Sequence, residues 1–234
     1  MDPVEQFTRE SSERVAAYAG DSEFQRMSQD WLRTSMYKKY VYNFTSLGRP
    51  IIQYPQDMVA MQELIWSVRP DLIVETGIAH GGSLILSASM LAMLDMCDAI
   101  EGGTTLDPNK SKRKVLGIDI DIRAHNRKAI ETHPMSSRIQ LIQGSSIARE
   151  TVEEVNKAAA GYKRVLVCLD SMHTQSRLER AERVREIGFG WLLLRGLRHF
   201  RRRHAEKVFR RPFLGCRKQS QDGGGGVSAN AQRV

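Results

Sequence analysis

At 234 residues the chain holds one ordinary α/β domain and not two full ones. Its net charge of +8 invites a nucleic-acid reading, but residues 1–175 carry 20 Lys and Arg against 22 Asp and Glu, whereas residues 176–234 carry 15 against 5. The basic excess thus belongs to the last quarter alone, no apolar run is expected to reach a membrane span, and no basic-then-apolar signal opens the chain. A reducing cytoplasm is the expected compartment, with Cys97, Cys168 and Cys216 outside any metal-ligand spacing.

In chain order, residues 1–48 predict a helical extension with Phe24, Trp31, Leu32, Met36 and Tyr40 at helical spacing. That stripe is expected to dock on the core or to meet a second copy of the chain as a homo-oligomer. Residues 46–56 predict a turn-rich loop leading to a helix over 57–67. An α/β domain is expected over 49–175. Its first strand, Asp71-Leu-Ile-Val-Glu75, breaks at an acid and passes through Thr76-Gly77-Ile-Ala-His80-Gly81-Gly82-Ser83 into an apolar helix. This order of strand, loop and helix builds a ligand crevice at the carboxyl end of a strand. Residues 101–113 predict a polar surface loop.

Three further apolar runs predict parallel strands: Lys114 to Asp119, Arg138 to Gln143 and Lys163 to Asp170. Each ends in residues suited to a site: Asp119 with Asp121, then Gly144-Ser145-Ser146, then Asp170-Ser-Met-His173. The first loop reads E-x-G-x-x-x-G-G, which is not the G-x-G-x-x-G of dinucleotide binders, so a nicotinamide-dependent dehydrogenase is set aside. A carboxylate beside glycines suits a ligand with a cationic group, hydroxyls and a nucleobase, and S-adenosylmethionine fits that description. An ordinary β–α turn without a ligand is the plain alternative. In nucleoside-binding α/β folds an acid at the second strand end accepts from ribose hydroxyls. Asp119 is the candidate ahead of Asp121, which sits further into the loop.

Over about residues 25–175 the chain resembles the cephalosporin hydroxylase / rhamnosyl O-methyltransferase family. The resemblance rests on Ile51-Ile-Gln-Tyr-Pro-Gln-Asp57, Val74-Glu75-Thr-Gly77-Ile-Ala-His-Gly81-Gly82-Ser83, Gly117-Ile-Asp119-Ile-Asp121, Gln143-Gly144-Ser145-Ser146 and Leu169-Asp170-Ser-Met-His173. It implies an α/β, Rossmann-like class I methyltransferase fold and methyl transfer from S-adenosylmethionine to a small-molecule or glycan hydroxyl. By that similarity Glu75, Thr76, Gly77, Gly81, Gly82 and Ser83 would line the methionine and ribose part of the cofactor. Asp119 would hold the ribose, and Ser145 and Ser146 would lie near the adenine. Asp170 would be the first carboxylate of a Mg²⁺ site that activates the acceptor hydroxyl, and His173 a neighbouring acid/base group. Hydroxylation of a cephalosporin nucleus is another activity of the family, and nothing in the sequence selects it.

The family pattern continues with a further strand ending in acids, and residues 176–234 are not expected to supply a convincing one. They read as a basic, atypical tail. One account is a shifted reading frame: residues 188–199 can be encoded so that dropping one base gives VSVGSYCVVFD, a buried strand with a terminal acid. Taken as written, the tail leaves Asp170 without its partner carboxylates, so the chain would be a cofactor-binding relative with little turnover. The competing reading is a nucleic-acid or anionic-surface binder using arginines 201–203 and 210–211. It has few aromatics interleaved with the arginines and no recognisable module, so no specific nucleic acid is expected.

Overall fold

The structure, a computed structural model, describes residues 2–170 and 191–195. The chain opens with two helices, α1 (Pro3–Ala17) and α2 (Ser22–Tyr37). Asp2 and Asp21 start them by accepting from the N–H groups of Val4 and Phe24. The expected stripe is half covered in the structure, with Trp31 and Tyr40 packed on Tyr54. α1 buries no residue, α2 buries Ser35 alone, and Phe24, Trp31 and Met36 stay about half exposed. What ties α2 to the domain is the fully buried Tyr54. Its hydroxyl lies 2.8 Å from Ser35 Oγ, and its ring meets Trp31 at 5.4 Å and Tyr40 at 6.2 Å.

The expected turn-rich loop contains an antiparallel hairpin, β1 (Phe44–Ser46) and β2 (Arg49–Ile51). Its two turn residues, Leu47 (φ 44) and Gly48 (φ 84), are both left-handed, the turn twist that matches paired strands. The expected division between residues 48 and 49 falls inside this turn. After it come α3 (Pro55–Val68), β3 (Leu72–Thr76), α4 (Gly82–Gly102), β4 (Lys114–Asp119) and α5 (Ala124–Glu131). Then follow β5 (Ile139–Gln143), α6 (Arg149–Ala159), β6 (Val165–Leu169) and β7 (Trp191–Arg195).

The main sheet has the order β5-β4-β3-β6-β7, and every neighbour pair is parallel. β7 corrects the expectation that the tail supplies no strand. The run Trp191-Leu-Leu-Leu-Arg195 is apolar enough to pair beside β6, in register from Val165 with Trp191 to Leu169 with Arg195. Of the inner strands, β3 and β6 are buried along their whole length, which is why they read as continuous apolar runs.

Helices cover both faces, the doubly wound arrangement of an α/β fold. On one face Ile73, Val115 and Leu166 pack with Leu84, Ala88, Leu91 and Leu94 of α4, Ile65 of α3 and Ile130 of α5. On the other, Leu72, Val74, Leu116, Ile118, Ile142 and Val167 pack with Ala159 of α6. Among the described helices α4 alone is long and apolar enough to cross a membrane, which corrects the expectation that no run reaches a span. Its apolar face lies in the core just described. The expected surface loop is exposed through residues 101–110, but Arg113 at its end is buried. There Arg113 and Arg138 both meet Asp95, and Arg113 also meets Asp98 at 2.7 Å.

Candidate active site

The chain order runs outward from β3 to β4 and β5, then jumps back across to β6. Loops at the carboxyl ends of β3 and β6 therefore diverge, and a crevice opens between them. It holds a cavity of ≈ 390 Å³, within the usual range for a small-molecule site. Eight of the expected residues line it: Thr76, Gly77, Gly82, Ser83, Asp119, Ser145, Ser146 and Asp170.

Two residues expected at the cofactor, Gly81 and Glu75, are not among those lining the cavity. Gly81 caps α4 with φ 83, and a Cβ there would meet the Ile130 side chain at 2.5 Å. Glu75 is buried beneath the cavity wall at 3% exposure and accepts a hydrogen bond from Ser83 Oγ. In a strand with period two it points to the α4 face, inward from the crevice. Desolvation pushes its carboxyl up to about 8, the Ser83 hydrogen bond opposes that rise, and the charge of Asp170 adds to it. Near neutral pH Glu75 is thus a buried, protonated acid. Burial and then the nearby Glu75 and Asp170 push the Cys168 thiol up, so it is a packed thiol and not a nucleophile. His173 lies outside the described residues, as do the arginines at 201–203 and 210–211.

Asp119 has the clearest geometry. Oδ2 accepts from the Ile78 N–H at 2.9 Å and Oδ1 from the Asp121 N–H at 3.2 Å. The two amides fix the carboxylate at the cavity wall and leave lone pairs for a hydroxyl pair. Asp121 is by contrast well exposed beside Arg123, in keeping with its lower standing. Asp170 sits opposite, where its Oδ2 accepts from Gln53 Nε2 at 3.0 Å. α4 begins beside the cavity with no side-chain cap, so its first N–H groups can meet an acceptor. Gly82 is needed there for space, since a Cβ would come within 2.2 Å of the Pro50 carbonyl oxygen.

Sequence reasoning missed the wall formed by Pro50, Ile51, Ile52 and Gln53. The run Ile51-Ile-Gln was visible as part of a motif, but its place against the β3 loop depends on how the hairpin folds back. The Mg²⁺ expectation also meets a limit. Among the described residues no three His, Cys, Asp or Glu side chains group to hold a metal ion. Of the expected carboxylates the described residues supply Asp170, and no step below is routed through a metal ion.

The family described as Rhamnosyl O-methyltransferase/CmcI matches residues 38–182, which contain the whole crevice. Similar solved structures include a CmcI with SAH, 19% identical, covering 64% of this chain and 65% of that one at a TM-score of 0.39. A CmcI with Mg-SAM is 20% identical, covering 65% and 57% at a TM-score of 0.40. A putative caffeoyl-CoA O-methyltransferase from Staphylococcus aureus is 15% identical, covering 80% and 69% at a TM-score of 0.42. The chain thus spans less than two thirds of the length of either CmcI structure. No curated protein matches it.

Proposed function

Because the chain belongs to the rhamnosyl O-methyltransferase/CmcI family, we propose that it binds S-adenosylmethionine in this crevice and methylates a hydroxyl of a sugar or small natural product. The observation that carries the reading is Asp119, held by two backbone amides at the carboxyl end of β4 and facing the same cavity as Gly77 and the start of α4. Such an acid suits the paired hydroxyls of a ribose. Ser145 and Ser146, at the end of β5, offer hydroxyls where the base would lie.

When bound, S-adenosylmethionine supplies an electrophilic methyl group on a sulfonium. An acceptor oxygen would take that methyl as the C–S bond gives its electron pair to sulfur. The hydroxyl proton must go to a base. Asp170 is the described carboxylate placed for that, with Gln53 orienting it through the 3.0 Å bond to Oδ2. Gln53 and its neighbours Pro50–Ile52 close one side of the cavity and limit water there.

The test is titration calorimetry with S-adenosylhomocysteine on wild type and on Asp119→Asn, followed by methyl transfer from labelled S-adenosylmethionine to a panel of sugar and phenolic hydroxyls. Losing the charged acceptor is expected to weaken binding by about 10- to 100-fold. Equal affinity in the two proteins would remove Asp119 from the cofactor site. Methylation of phenols alone would correct the acceptor class.

A further inference from the structure

The loop between β3 and α4 is bent in an unusual way. Gly77 (φ 85), Ala79 (φ 44) and Gly81 (φ 83) all lie in the left-handed region, and Ala79 pays for a Cβ there. For an L-residue with a side chain that conformation costs about 1–2 kcal/mol, so something must hold it.

Two side chains from outside the loop do so. Asn126 of α5 donates from Nδ2 to the Ala79 carbonyl at 3.1 Å. Arg49 of β2 donates to the next carbonyl, that of His80, from Nη2 at 2.6 Å and from Nε at 3.2 Å. Arg49 Nη2 also donates to Asn126 Oδ1 at 3.2 Å, which joins the two into one unit. Asn126 is 5% exposed, and Arg49 is half-buried with no ion pair among the described residues. A guanidinium so placed, with carbonyl and amide oxygens as its partners, is directed at the loop and not at a charge. Because the peptide is trans and planar, turning the Ala79 carbonyl towards Asn126 turns the His80 N–H the opposite way. Ala79 and His80 line the cavity, and so does Pro50, the neighbour of Arg49. One guanidinium thereby ties together the two walls between which a ligand would lie.

We infer that Arg49 and Asn126 are positioning residues: they clamp the Ala79 and His80 carbonyls and so hold the β3–α4 loop in its cofactor-binding shape. This rests on the cofactor reading above. The clamp acts on affinity for the cofactor, since the atoms it holds are backbone carbonyls of the β3–α4 loop.

The experiment compares wild type, Arg49→Leu, Asn126→Ala, the double variant, and Arg49→Leu combined with Ala79→Gly. S-adenosylhomocysteine affinity is read by calorimetry, and Tm is recorded for each protein. Arg49→Leu is expected to weaken binding about 10-fold or more, with kcat at saturating cofactor near wild type. The double variant should lose little beyond the worse single one, because the two residues act as a unit. Adding Ala79→Gly should recover much of the affinity, since glycine adopts the loop conformation without strain. Recovery would not occur if Arg49 merely supported the fold. Unchanged affinity with a lowered Tm, or no recovery by Ala79→Gly, overturns the inference. If wild type itself fails to bind S-adenosylhomocysteine, the cofactor reading fails separately. The clamp is then judged by hydrogen exchange of residues 78–82, where Arg49→Leu must exchange faster than wild type for it to stand.

Discussion

The two ends of the sheet bury ionisable groups in opposite ways. At the amino end Asp95 is surrounded by donors: Ser111, Arg138 and Arg113 hold its carboxyl below the usual carboxylate range although burial works against its charge. At the carboxyl end Glu75 is buried even more deeply but has a hydroxyl and another acid for neighbours, and it is pushed up to about 8. Both groups sit beside the core of one domain. The difference shows that burial alone says little about role. A fully paired acid holds the structure together, whereas an acid left without a cation marks a place where chemistry or a cationic ligand is expected.

The largest test of this contrast is at the paired end. Asp95→Ala would strand the buried Arg138 and leave Arg113 with Asp98 alone, and breaking a buried pair in this way costs about 3–5 kcal/mol. Urea denaturation should show a midpoint loss of that order, with cofactor affinity of the folded fraction retained. A loss no greater than that of a surface substitution would mean the network is solvated.

At the other end the signature is pH. Unfolded Glu75 titrates near 4.5 and the folded residue near 8. Below about 4.5 both states keep the proton. Between the two values only the native state keeps it, so stability falls as pH rises, and above 8 the loss is complete. Glu75→Gln should abolish this fall and make the protein more stable than wild type at pH 9, by an amount on the order of a few kcal/mol. At pH 5 the two should be close. Parallel stability curves from pH 5 to 9 would sink the buried, protonated carboxyl.

The smallest effect is expected where pairing occurs without burial. Arg149 and Glu153 approach to 2.7 Å on α6 but are mostly exposed. Glu153→Ala should cost no more than about 0.5 kcal/mol, and less in high salt. A cost comparable to that of Asp95→Ala would mean that geometry and not burial sets the value of these pairs.

Much of the site was legible before any coordinates. β3, β4, β5 and β6 announced themselves as apolar runs ending in Glu75, Asp119, Gly144 and Asp170, and parallel strands with both faces covered carry that pattern. The hairpin escaped notice because its strands are three residues each and one contains Pro50. β7 escaped because four apolar residues inside an arginine-rich stretch give no alternation to read. The aromatic stripe over Phe24–Tyr40 was legible only as a face. Helical spacing identifies a face, but it does not say what the face meets, and here it is about half exposed, with Trp31 and Tyr40 packed on Tyr54.

The sequence by itself determined the local order of strand, glycine loop and helix, the acids that end the strands, and the family to which those motifs belong. These depend on residues close together in the chain, where sterics and periodicity act directly. Only the tertiary structure decided that Glu75 turns inward and keeps a proton while Asp119 faces the crevice. It alone brought Arg138 to Asp95 across 43 positions and Arg49 to Asn126 across 77. A charge state depends on the dielectric and on the partners that surround a group, and those are supplied by segments distant in sequence that meet only when the sheet has closed.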